Sequence, residues 1–167
     1  MSARELAVTA LLAAILLAAQ VALSFLPNIE LVSLLLILYA ICFPLRQALM
    51  ACWVFVLLEG LLYGFGSWWV MYLYIWPLLV LLARQLQRHP SSISAALLSG
   101  GFGLSFGALC AIPYALTGGF AYGISWWISG IPFDIAHCLG NAAAALVLFR
   151  PLLKVFSRLS GYRPPEK

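Results

Sequence analysis

The amino-acid sequence contains very little charge. Asp, Glu, Lys and Arg make up 8% of its 167 residues, whereas roughly a quarter of the residues in a soluble domain are charged. Hydrophobic residues make up 65%, and the mean hydropathy is +1.05. Because a transmembrane helix needs ~20 mainly apolar residues, this composition excludes a soluble protein. It predicts one integral membrane domain over residues 1–167.

The sequence also lacks the common motifs of catalysis and cofactor binding. Its four cysteines show no CxxC spacing, so a place in the apolar core is favoured over a redox or zinc site. There are two histidines and no HExxH, GxSxG, GxxxxGKS or GxxxxGKT. We therefore expect no metal site, no catalysis and no covalently bound cofactor. Without an ATP site, energy-driven transport would need another polypeptide.

Hydropathy and helix breakers divide the chain into six predicted helices. Pro27, Pro44 and Pro132 mark boundaries, and the second helix is short for a membrane span. We predict an all-α membrane protein, a compact bundle of six transmembrane helices, with a loop before Pro132 and a basic tail over residues 150–167. The predicted helices cover about residues 5–25, 29–43, 44–63, 68–86, 93–116 and 132–149.

The basic residues predict the orientation of this bundle. With six spans, all nine Lys and Arg residues fall on one side of the membrane, which the positive-inside rule makes cytoplasmic. We expect both termini on that side. The net charge of +4 then reflects topology, and nucleic acid is not an expected partner. The nine residues are Arg4, Arg46, Arg84, Arg88, Arg150, Lys154, Arg158, Arg163 and Lys167.

Three acidic residues fall in the outer half without any basic neighbour: Glu30, Glu59 and Asp134. In the sixth helix Asp134, His137 and Asn141 follow i, i+3, i+7 spacing, so they share one face. Ionisable groups are costly in hydrocarbon, and this face is expected to point into the bundle. Either Asp134 caps the helix while His137 and Asn141 hydrogen-bond to neighbouring helices, or these residues contact a ligand or carry protons.

Aromatic residues are concentrated in the same half. Trp69, Tyr72 and Trp76 share one face of the fourth helix, and the predicted loop before the sixth helix carries Trp126 and Trp127. A belt at the membrane interface is one explanation. The cytoplasmic side has almost no Trp or Tyr, however. This asymmetry favours an outward pocket with apolar walls and a few polar groups.

The first helix carries alanine at every fourth position, namely Ala10, Ala14, Ala18 and Ala22. Such a ridge of small residues lets another helix approach closely. The approaching helix belongs either to this chain or to a partner protein, and the sequence leaves both interpretations open.

Several segments resemble one family of transport proteins. They are "LPNIELVSLLLILYA", "LLEGLLYGFGSWW", "GIPFDIAHCLGN" and "LVLFRPL". With six short helices and the alanine ridge, the chain is similar to the substrate-binding S components of energy-coupling factor (ECF) transporters. The resemblance covers about residues 7–153, and within the family the chain most resembles the group linked to cobalamin.

The resemblance implies a multi-pass protein of the prokaryotic plasma membrane that captures a vitamin or related micronutrient on the outer side. The vitamin-class ligand would be the transported substrate and not a cofactor. The implied partners are a transmembrane coupling subunit, which docks on the alanine ridge, and two cytoplasmic ATPase subunits. Residues 27–30 and 118–127 would close the site.

Residue chemistry guides the choice of ligand. The wide aromatic outer face suits cobalamin, a large and partly apolar molecule. The unpaired outer acids would instead favour thiamine, because thiamine is a cation. The lack of any outer Lys or Arg disfavours a strongly anionic ligand such as folate.

The expected binding site combines the outer polar groups with the outer aromatic rings. Two other functions are also hypotheses: a stand-alone proton-coupled carrier with a relay of Glu59, Asp134 and His137, and an assembly subunit without a ligand. The expected ligand contacts are Asn28, Glu30, Glu59, Trp69, Tyr72, Trp76, Trp126, Trp127, Asp134, His137 and Asn141.

Overall fold

The structure is a computed structural model that describes residues 1–163. Residues 164–167, with Glu166 and Lys167 of the predicted basic tail, lie outside the described part. Over residues 1–163 the chain is all-helical and contains no strand. The prediction of an all-α protein with six helices is confirmed. The helices are α1 (Ala3–Leu23), α2 (Val32–Cys42), α3 (Leu45–Tyr63), α4 (Ser67–Ala83), α5 (Ser92–Gly118) and α6 (Phe120–Ser160), with a 3-10 helix (Arg84–Arg88) after α4.

Five helical segments are long and apolar enough to cross a membrane: α1, α3, α4 together with the 3-10 helix that follows it, α5 and α6. The helix α2 has 11 residues and rises only about 16 Å. All of its residues are buried, and it packs against α4 and α6. The Tyr39 hydroxyl donates a hydrogen bond to the Leu12 carbonyl of α1 at 3.2 Å. The short α2 is therefore the central core helix, surrounded by the longer ones.

The sixth helix differs from its predicted bounds. It begins at Phe120, so the predicted loop before Pro132 is helical, and it continues past residue 149 to Ser160. Both Pro132 and Pro151 lie inside α6, on its exposed side. Membrane helices tolerate proline because neighbouring groups and local adjustments of the helix re-satisfy the backbone carbonyls that it frees. The expectation of a loop that closes the site over residues 118–127 is wrong.

The reversal between α5 and α6 is short because of its glycines. Gly119 has a φ of 89°, in the left-handed region that favours glycine. Gly123 then packs so closely on Ala115 that a Cβ at this position would meet the Ala115 side chain. The two helices therefore form an extended antiparallel pair that begins directly at this reversal.

One end of the bundle collects the basic residues, and we call it the basic end. There Arg84 donates hydrogen bonds to the carbonyls of Ala40 and Phe43 at 2.9 and 3.0 Å, while Gln47 donates to the Glu5 carbonyl at 3.2 Å. The Arg84 contacts join the end of α4 to the end of α2, and the Gln47 contact joins the start of α3 to the start of α1. The described Lys and Arg residues all lie near these contacts, on the last third of α6 or, for Arg163, just after α6. That this end faces the cytoplasm stays a prediction.

Candidate functional site

A cavity of about 390 Å³ lies at the end of the bundle opposite the basic end. The last turn of α1 and the connection to α2 form its rim. The end of α3, the start of α4 and the middle of α5 and α6 form its walls. The residues that carry its chemistry are Glu30, Glu59, Trp68, Tyr72, Trp76, Phe106 and His137.

The connection between α1 and α2 is attached to α6 by a contact between Glu30 and His137. Glu30 Oε1 lies 3.2 Å from His137 Nε2, and both side chains are buried. The second oxygen of Glu30 accepts a hydrogen bond from the Ser33 backbone N–H at 2.8 Å, which caps the start of α2. Burial opposes ionisation of Glu30, but its hydrogen bonds and the charge of His137 outweigh burial. The pKa of Glu30 therefore lies below its ordinary value.

Glu59 is the acidic residue of the cavity that has no such partner. Its side chain is only 2% exposed, and Oε1 has no hydrogen-bond partner among residues 1–163. Trp76, also 2% exposed, has an indole N–H that likewise finds no acceptor in this part of the chain. Buried polar atoms are normally hydrogen-bonded. These two atoms are thus available to a bound molecule.

Aromatic rings form one continuous wall from the start of α4 to α6. Trp68 and Tyr72 meet edge to face with centroids 5.3 Å apart, and Tyr72 meets Trp76 in the same way at 5.4 Å. Phe106 of α5 lies 5.6 Å from Trp76 and 5.0 Å from the His137 ring. Such mutual packing fixes the rings before any ligand enters.

A stripe of glycines on α5 brings α6 close to the site. A Cβ at Gly103 would lie 2.8 Å from the His137 carbonyl carbon, and one at Gly107 would overlap the Asp134 carboxylate. The Gly107 N–H donates a hydrogen bond to Asp134 Oδ1 at 2.9 Å. The Asn141 amide donates to Ser33 Oγ at 3.2 Å. The polar face of α6 points inward, as predicted, and part of it binds neighbouring helices.

The structure brings together part of the predicted site. Asn28, Glu30, Glu59, Tyr72, Trp76 and His137 line the cavity. Asp134 and Asn141 do not line it, since both are buried against α5 and α2. For those two residues the geometry matches the interpretation as contacts between helices.

The three other predicted tryptophans also lie outside the cavity lining. The Trp69 indole donates a hydrogen bond to the Val56 carbonyl at 2.8 Å, so it packs on α3. Trp126 stacks on Tyr114 with centroids 4.7 Å apart. Trp127 lines a separate apolar groove of about 160 Å³ between α5 and α6. The helical start of α6 explains the last two positions, because it carries both rings away from the connection between α1 and α2.

Trp68 and Phe106 line the cavity but are not among the residues predicted from the sequence. Trp68, Tyr72 and Trp76 follow i, i+4, i+8 spacing, which is as helical as the i, i+3, i+7 set that starts at Trp69. Phe106 lies beside Gly107 within the glycine stripe. The pattern of small residues on α5 therefore indicates which side of that helix faces α6.

The alanine ridge lies on the outside of the bundle. Ala10, Ala14, Ala18 and Ala22 are all exposed, whereas the buried face of α1 consists of Thr9, Leu12, Ala13 and Leu16. The interpretation that the ridge packs inside this chain is wrong. The ridge faces the surroundings of the bundle, where lipid or a partner helix can contact it.

Within residues 1–163, no group of three or more His, Cys, Asp and Glu side chains is placed to hold a metal ion. Comparison with protein-family models, curated proteins and solved structures gives no match to this chain.

Proposed function

We propose that this chain is the solute-binding membrane subunit of an importer of the ECF type, and that it captures a small vitamin-class solute at the end opposite its basic residues. The observation that carries the proposal is the cavity with an aromatic wall, two buried carboxylates and a histidine. Small-molecule sites are typically concave, mostly apolar and supplied with a few fixed polar groups.

The external alanine ridge supports the second half of the proposal, which is docking to a partner. The chain has no nucleotide-binding motif, so ATP-driven uptake needs other polypeptides. In the ECF family that the chain resembles, these are a transmembrane coupling subunit and two ATPase subunits. Four exposed small residues on one helix face permit close approach of a partner helix in the membrane. The cavity and the ridge thus provide two separate surfaces for two separate tasks.

Cobalamin is the ligand suggested by the resemblance, but the cavity volume favours a smaller molecule. A volume of about 390 Å³ is near the lower end of the range of about 300–1,000 Å³ for drug-sized ligands. A corrinoid is much larger than such a ligand and would extend far beyond the rim. Cobalamin therefore belongs in the ligand panel as one member among smaller vitamins.

The alternative function is a stand-alone carrier driven by protons. A relay of Glu59, Asp134 and His137 would need hydrogen-bonded contact among them or through a solute. In the described residues Asp134 bonds to Gly107 and His137 to Glu30, and no hydrogen bond joins either to Glu59. This geometry favours the binding subunit.

Transport in proteoliposomes separates the two functions. The chain alone should bind solute without transporting it, and uptake should begin only when the coupling subunit, the ATPases and internal ATP are added. Uptake by the chain alone under a proton gradient would overturn the proposal. Mass spectrometry of the gently purified chain tests for a retained ligand. A chain that retains none and binds no member of a vitamin panel would instead support an assembly role.

A further inference from the structure

The two carboxylates of the cavity differ in their partners. Glu30 Oε1 lies 3.2 Å from His137 Nε2. Glu59 has no charged or hydrogen-bonded partner for Oε1 among residues 1–163, although its side chain is 2% exposed. No Lys or Arg of this part of the chain lines the cavity. Glu59 is therefore the one carboxylate there whose counter-charge must come from outside the described chain.

The surroundings of Glu59 fit an organic cation better than a bare metal ion. No group of three metal-ligating side chains occurs within residues 1–163, so an inorganic cation would find too few ligands. Indole and phenol rings line the same cavity at Trp68, Tyr72 and Trp76. The faces of such rings attract quaternary ammonium and related cations by about 0.5–2 kcal/mol each.

We infer that the cavity selects a compact organic cation, with Glu59 as its counter-ion and the Trp68, Tyr72 and Trp76 rings around its apolar body. The inference rests on the proposed function only in that the cavity is a solute site. It adds two features to that function, namely the positive charge of the solute and Glu59 as the residue that recognises this charge. A neutral or anionic molecule of the same size would leave the Glu59 carboxylate buried without a partner, which is costly.

A set of three probes with one benzyl or phenyl ring tests the sign of the charge. Benzyltrimethylammonium is a cation, benzyl alcohol is neutral and benzoate is an anion. Binding to the purified full chain can be followed by tryptophan fluorescence, because Trp68 and Trp76 line the cavity. We expect the cation to bind best and benzoate to bind worst. Equal or stronger binding of benzoate would overturn the inference.

The variant Glu59→Gln tests the residue. It keeps the shape of the side chain and removes the charge, so cation affinity should fall by about thirtyfold or more while benzyl alcohol affinity stays unchanged. The variant is expected to fold, since it removes an unpaired buried charge, and thermal unfolding checks this. Glu5→Gln is the matched control, because Glu5 is exposed near the basic end. Unchanged cation affinity in folded Glu59→Gln would refute the role of Glu59 and indicate a protonated carboxyl.

The outcomes for the inference and for the proposed function are distinguishable. ATP-dependent uptake of a neutral or anionic vitamin would sustain the importer and refute the cation. Selective binding of benzyltrimethylammonium that depends on Glu59, without any uptake in the presence of partners and ATP, would sustain the cation site and refute the importer.

Discussion

Glu30 and His137 are separated by 107 residues in sequence, yet their side chains lie 3.2 Å apart. Glu30 belongs to the connection that forms the rim of the cavity, and His137 belongs to α6, which forms part of its wall. Glu30 also caps the start of the central helix α2 through Ser33. One carboxylate therefore holds the rim, the wall and the core helix in a fixed relation.

The pair predicts strong energetic coupling between its two residues. Glu30→Gln and His137→Gln should each lower the thermal stability of the detergent-solubilised protein, because each leaves the other group buried without its partner. The double variant should be destabilised by about 1–3 kcal/mol less than the sum of the two single variants. A double-mutant cycle on unfolding free energy measures this difference, and simple additivity would show that the two groups do not interact.

The same pair predicts a loss of stability in acid. Because the pKa of Glu30 lies below its ordinary value of 4.5, ionised Glu30 stabilises the fold above that pH. This contribution is lost as the pH falls below about 4.5 and passes through the lowered pKa. Thermal unfolding from neutral to acidic pH should show a steeper decline for the natural chain than for Glu30→Gln. Parallel curves would contradict the assignment.

The glycine stripe predicts a sharp contrast between two substitutions on α5. Gly103→Ala should destabilise the protein by about 1–3 kcal/mol, because its Cβ would press on the His137 backbone. Gly101→Ala is the control, since a Cβ there has no neighbour within 4 Å. Alanine should stabilise this exposed helical position by up to about 1 kcal/mol. If both variants change the melting temperature in the same direction, close packing of α5 on α6 is not what fixes this helix pair.

Adjacent tryptophans on α4 predict separable effects on binding and folding. Trp68→Ala should weaken benzyltrimethylammonium binding and leave thermal stability nearly unchanged, because its ring lines the cavity. Trp69→Ala should destabilise the fold by about 2 kcal/mol or more, since it removes a packed ring and its hydrogen bond to Val56. Isothermal titration and thermal unfolding of both variants make the comparison. If both variants changed probe binding and thermal stability in the same way, the two rings would not have separate roles.

The exposed alanine ridge predicts a defect in docking without a defect in binding. The double variant Ala14→Leu and Ala18→Leu should lose copurification with the coupling subunit and ATP-dependent uptake, because the larger side chains keep a partner helix at a distance. Probe binding to the isolated chain should be unchanged. Ala143→Leu, at an exposed position of α6, controls for added bulk at a lipid-facing surface. Normal docking of the double variant would mean that the partner binds elsewhere.

Hydropathy was sufficient to predict the six helices, and the 3.6-residue period was sufficient to predict the inward face of α6. The start of α6 could not be predicted in the same way. A proline ordinarily marks a helix boundary, and only the packed structure places Pro132 on an exposed side of a continuous helix. The sequence pattern therefore predicts a loop before Pro132, whereas these residues form the start of α6.

The candidate site could be predicted only in part, because some of its contacts likewise depend on the packed structure. Helical periodicity predicts aromatic rings on one side of α4, but it does not distinguish a face that starts at Trp68 from one that starts at Trp69. Gly60 on α3 determines which of the two rings packs against α3, because its missing side chain leaves room for the Trp69 indole beside it. The partner of Glu30 depends on a contact across most of the chain, and no local pattern encodes such a contact. Composition could only indicate that outer acids lacked basic neighbours.

The length of α2 also determines where a solute would be held. From the basic end to its first residue the helix rises about 16 Å, while the hydrocarbon core of a bilayer is ~30 Å thick. A helix this short covers about half of that thickness, so the space beyond its first residue is left for the cavity that Glu30 lines. In the proposed importer, a solute held in this space would already lie deeper than the outer ends of the longer helices. The path that remains to the basic end would then be about as long as this one short helix.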